Sequence, residues 1–205
     1  MDSHTRLIAG SCLILAPVVQ AASSFFWQGQ RQGITTGAFI MVATLLWIVG
    51  LARVFHDIED RVPRYAAVAF PLAVYGCLGG ASFGLQGMYE ELFGASHAET
   101  VRLVGEHPVA AFLTLWVAGV LFPTSMAVLG AVLTRIRHLP LPTGVLMVAG
   151  ALVFPLSRIP REVAVAHIAD LVLILPFAHL GIRTLTAGRT SKTPAPGPPL
   201  STERG

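Results

Sequence analysis

Six continuous apolar runs divide this chain, at residues 7–27, 33–54, 65–88, 108–133, 141–156 and 163–182. Most approach or exceed the roughly 20 residues that an α-helix needs to cross a hydrocarbon core. In lipid the backbone finds no outside hydrogen-bond partner, so a spanning segment must be a helix or part of a closed barrel. A barrel strand alternates apolar and polar residues over a short segment. These runs do not alternate, and the expected fold is an all-α integral membrane bundle of six transmembrane helices.

Charge supports this. Only 12% of the 205 residues are charged, against 54% hydrophobic, where a soluble domain carries about 25% charged residues. The mean hydropathy is +0.68. The net charge of +3 does not indicate nucleic acid, because the 14 Lys and Arg residues are scattered between apolar runs and Lys192 is the single lysine. They are better read as topology signals. One side holds Arg6, Arg53, Arg61, Arg64, Arg135, Arg137, Arg183, Arg189, Lys192 and Arg204. The other holds Arg31, Arg102, Arg158 and Arg161. This asymmetry places both termini in the cytoplasm of a multi-pass protein of the cell membrane. Val19-Gln20-Ala21 also fits a signal-peptidase site, and cleavage there leaves five spans. The apolar run continues through Phe25, Phe26 and Trp27, which favours a full span with Trp27 as interfacial anchor.

Residues 1–186 are read as the transmembrane domain. Residues 187–205, rich in Pro, Ser, Thr and Gly, have little to bury and are expected to form a disordered cytoplasmic tail. The longest loop carries Ser96-His97-Ala98-Glu99 ahead of Val101, Leu103 and Val104. That is a capping box opening a short amphipathic helix, expected on the membrane surface.

Gly76, Gly80 and Gly84 recur every four residues and share one helix face. Close backbone approach at such a face drives helix association in lipid. The third span is therefore expected to be the central packing helix, with a homodimer seam through these glycines as the alternative. Pro17, Pro71, Pro123, Pro155 and Pro176 fall within spans and can kink them. Cys12 and Cys77, expected at different depths, are read as small packing residues.

An ionisable residue inside the membrane is by default a functional candidate. Asp170 lies about 10 Å into the sixth span, with His167 one turn nearer its start. Arg158, Arg161 and Glu162 stand just outside. Tyr89, Glu90 and Glu91, with Gln86, close the third span, and His107 opens the fourth. The candidate catalytic set is Asp170, His167, Glu90 and Glu91. The candidate ligand-binding set is Tyr89, His107, Arg158 and Arg161. A buried carboxylate with a neighbouring His or Arg can exchange a proton with a lipophilic substrate. The bland alternative is that Arg158 or Arg161 neutralises Asp170 and pins two helices together.

Phe55-His56-Asp57-Ile58-Glu59-Asp60-Arg61 matches no metal-ligand spacing and reads as a solvated helix end. Bis-His haem is disfavoured, because His167 and His179 sit about 120° apart around their helix. No motif calls for a cofactor. With no lysine in any span a retinal Schiff base is excluded, and phosphate-loop, zinc-protease and nucleophile-elbow motifs are missing. Three functional readings are open. The first is an enzyme of isomerase or cyclase type doing acid–base chemistry on a lipophilic small molecule such as an isoprenoid. The second is a non-enzymatic accessory or assembly subunit of a membrane complex. The third is a transporter or haem-binding protein.

Overall fold

A backbone that must satisfy its own hydrogen bonds folds here into long helices joined by short turns. The computed structural model describes residues 3–28, 31–158 and 160–187. Six helices are long and apolar enough to cross a membrane. We label the helices α1 (Ser3–Ser24), α2 (Gly33–Ile58), α3 (Pro63–Leu92), α4 (His97–Gly105), α5 (Pro108–Arg135), α6 (Leu141–Arg158) and α7 (Val163–Thr186). The Pro-rich segment expected to be a tail lies outside the described residues, apart from Ala187.

Prolines set several starts. Pro63 and Pro108 occupy the first turn of α3 and α5, where a missing N–H costs nothing. Most helices run a few residues past the apolar runs, because the hydrogen-bond ladder continues into charged sequence until a breaker stops it. The short α4 forms as the capping box requires, with Ser96 Oγ accepting from the Glu99 N–H at 3.2 Å. None of its side chains is buried.

The six long helices form a closed ring in the order α1–α2–α3–α5–α6–α7, with α7 returning to α1. This corrects the expectation of a central packing helix, since α3 is one stave of the ring, packed between α2 and α5. Glycines do allow close approach, but at many crossings. Gly10 meets Gly181 where α1 crosses α7, Gly37 meets Gly84 between α2 and α3, and Gly130 meets Gly144 between α5 and α6. Gly76 lies against the backbone of Phe122. Two glycines of the α3 row, Gly76 and Gly84, are thus engaged by helices of the same chain.

The ring's interior is filled by side chains. Trp47 packs edge-on against Phe177 and Phe122, with ring centroids 4.5 and 5.5 Å away. Leu13, Met126, Leu129 and Met147 are wholly buried around them. The outside is apolar too, and Leu45, Val68, Leu152 and Leu171 are 60–63% exposed. Such a surface suits lipid and not water. Cys12 and Cys77 are buried and free.

The end carrying residues 3 and 187 is called proximal here, and the other end distal. At the proximal end Arg61 and Arg183 donate to the carbonyls of Ile136 and His138, tying the α5–α6 turn to the α2–α3 turn and to α7. His56 pairs with Glu59 at 2.9 Å on its own helix end.

Candidate functional site

The distal end gathers every residue of the candidate sets, and divides them into separate groups. Asp170, on the second turn of α7, is 2% exposed. Its carboxylate accepts two hydrogen bonds from Arg158 Nη2, at 2.7 and 2.9 Å, and one from Ser24 Oγ at 2.5 Å. Arg158 Nη1 also donates to Ser24 Oγ at 3.3 Å. One carboxylate thereby joins the ends of α1 and α6 to α7. The guanidinium lies between the rings of Phe154 and Trp27, at 4.8 and 5.1 Å. Trp27 is therefore buried beneath a cation just past the end of α1.

Glu90 belongs to a second buried pair. Arg161 leaves the α6–α7 turn with a left-handed φ of 55° and donates to both Glu90 oxygens, at 2.8 and 3.3 Å. Gln86 Nε2 donates to the same carboxylate at 3.3 Å, and His97 Nδ1 lies 2.7 Å from it. This group ties the end of α3 to the start of α4 and to the turn before α7.

The remaining candidates do other things. Glu91 accepts from the Ile34 N–H at 2.5 Å and so caps α2. Gly33, at φ +69°, leaves room for that carboxylate, which a Cβ there would meet at 2.5 Å. His167 stacks on Phe25 at 4.3 Å, and its Nε2 is buried without a partner. Asp170 takes its hydrogen bonds from Ser24 and Arg158 instead. Tyr89 and His107 line a shallow groove between α3, α4 and α5. No three His, Cys, Asp or Glu side chains among the described residues are grouped to hold a metal ion.

A cavity of about 110 Å³ lies beside the Arg158 group, inside the ring. Its walls are apolar, from Ile40 and Trp47 on α2, Cys77 and Phe83 on α3, Leu115 and Phe122 on α5 and Phe154 on α6. Gly80 opens onto it, and a Cβ there would meet nothing within 4 Å. Two further lining residues, Trp116 and Val120, are 60% and 57% exposed on the outer surface of the ring. The cavity therefore reaches the exterior sideways, toward the lipid-facing surface of α5. Gln20, Gln32 and Arg158 form its polar end. Comparison with known families, curated proteins and solved structures finds no match to this chain.

Local helix geometry shapes the opening. Residues Phe112–Val117 of α5 form a π-helical segment. Widened turns of this kind shift the register of the side chains that follow and recur at functional sites. The Leu113 carbonyl there accepts from Tyr75 Oη at 2.7 Å. The π segment includes Leu115 and Trp116, both at the cavity. Sequence reasoning found the acids and arginines of the distal end but missed Ser24, His97 and the cavity. The polar pair Ser23-Ser24 inside the first apolar run was a usable signal for Ser24. Nothing local marked Gly80 as different from Gly76 or Gly84.

Proposed function

We propose that this membrane protein binds a lipophilic small molecule in the cavity of its distal half, admitting it sideways from lipid past Trp116. The observation that carries this reading is an apolar cavity inside the ring, lined in part by residues exposed on the ring's lipid-facing side. Sites for small ligands are concave and mostly apolar, with a few placed polar groups. Gln20, Gln32, Thr44 and Arg158 supply those groups here.

Acid–base turnover of an isoprenoid, as an isomerase or cyclase would perform it, has less support. Asp170 and Glu90 are each held by an arginine, and neither lines the cavity. The charged side chain that does line it is Arg158, which stays protonated and is a poor proton donor. Binding is the reading that these side chains favour.

The test uses Gly80→Leu. A side chain at this position grows into the cavity without meeting the backbone, so the fold is kept while the space is filled. Native mass spectrometry of the full-length protein from mild detergent should show a retained lipophilic adduct on the wild type. The adduct should be missing from Gly80→Leu at an unchanged melting temperature. Equal adduct occupancy in the two proteins, or none in either, overturns the reading.

A further inference from the structure

The chemistry of the cavity's polar end narrows the class of ligand, provided that the cavity binds a lipophile as proposed. Three buried polar atoms of residues lining the cavity have no partner among the described residues: Arg158 Nε and Gln32 Oε1 at the polar end, and Trp47 Nε1 on the wall. Arg158 Nε and Trp47 Nε1 are N–H donors, and Gln32 Oε1 is an amide oxygen that accepts. Buried polar groups are nearly always hydrogen-bonded, so a molecule entering here meets two N–H donors that need an acceptor, beside one amide oxygen.

Charge decides which acceptor. Arg158 is already neutralised, since its Nη2 atom makes both contacts to Asp170, whose side chain is 1% exposed. Pair and surroundings are therefore electrically balanced before a ligand arrives. A carboxylate entering beside Arg158 would bury a net negative charge with no cation left for it, and desolvating an unpaired charge is costly. An ammonium group would bury net positive charge beside the Arg158 guanidinium, with no anion left to balance it. A neutral carbonyl carries neither penalty and takes a hydrogen bond from a charged donor, which is among the stronger kinds.

Size adds a second limit. An apolar cavity of about 150 Å³ holds benzene, and this one is about 110 Å³. It accommodates a head group of a few heavy atoms, while the remainder of a lipid-sized molecule stays outside, beyond Trp116 and Val120. We infer that the ligand is an uncharged lipophile whose small carbonyl-bearing head enters the cavity while its hydrocarbon chain remains in the bilayer. Ketones, quinones and esters belong to this class, and fatty acids and alkylamines do not.

Three probes of matched chain length test this on the delipidated full-length protein in mild detergent: 2-heptadecanone, heptadecanoate at neutral pH, and heptadecane. Native mass spectrometry reads their occupancies. The ketone should bind about tenfold or more tightly than either of the others, the ratio expected of one hydrogen bond from a charged donor. Arg158→Lys keeps a cation opposite Asp170 but removes the Nε donor, and should weaken ketone binding about tenfold, with the Trp47 N–H left as the remaining donor. Carboxylate binding equal to or tighter than ketone binding in the wild type overturns the inference, and that comparison needs no Arg158 variant. A ketone affinity unchanged in a folded Arg158→Lys protein also overturns it. If the wild type takes up none of the three, or takes them up equally before and after Gly80→Leu, the cavity reading itself fails and the ligand class falls with it.

Discussion

Replacing Asp170 by Asn should unfold this protein more readily, and the structure sets the size of the effect. The carboxylate accepts three hydrogen bonds, two from Arg158 and one from Ser24. The side chains of the ion pair are 13% and 1% exposed. Asparagine can still accept from Arg158, but it cannot balance the cation, which stays buried between Phe154 and Trp27. Removing one partner of a buried pair typically costs about 3–5 kcal/mol. By the scale that holds for soluble domains of about this length, 3 kcal/mol lowers the melting temperature by about 6–12 °C. The assay is the loss of the monodisperse size-exclusion peak after heating in mild detergent. Arg158→Met combined with Asp170→Asn should recover at least half of the loss, because with both charges removed no orphaned cation stays buried. An Asp170→Asn protein that melts with the wild type would refute the reasoning, as would a double variant no more stable than the single one. The first of these outcomes, joined to a lost activity, is what an acid catalyst at this position would give.

Two further predictions concern packing and pH. Gly76→Ala places a Cβ 2.4 Å from the Phe122 nitrogen, where backbone cannot yield. It should cost about 1–3 kcal/mol, while Gly80→Ala should cost nothing or add up to about 1 kcal/mol through helix propensity; paired melting curves check both. Burial first, and then the Arg183 charge, hold His138 below the ordinary histidine value of 6.5, with Arg61 adding to this and Asp57 opposing it. The unfolded chain then takes up a proton that the folded one resists, so this contribution is fully present above pH 6.5 and is lost as pH falls from there through the lower folded-state value. Stability should therefore decline on acidification, and His138→Gln should flatten the decline in melting temperature between pH 7.5 and 5.5. An unchanged slope would contradict this.

The fold was legible in the sequence because hydropathy is a local property. A run of apolar residues must be a helix in lipid whatever its neighbours are, and Pro63 and Pro108 mark two starts from one position each. Ser96 and Glu99 specified the start of α4 by the same local logic. The candidate site was legible only as a population of residues. That Asp170, Glu90, Arg158 and Arg161 share the distal end follows from counting spans. That Asp170 takes Arg158 while Glu90 takes Arg161 depends on how each helix is rotated and which helices are adjacent. A helix apolar on all sides carries little sign of which face turns inward, since core and lipid are equally apolar. Sequence alone therefore determined six membrane-length helices and the charged residues at their ends. The ring order, the sharing of acids between arginines, and the cavity at Gly80 were decided only by tertiary packing, through backbone approaches and side-chain meetings between residues far apart in the chain, such as Gly10 with Gly181 and Ser24 with Asp170.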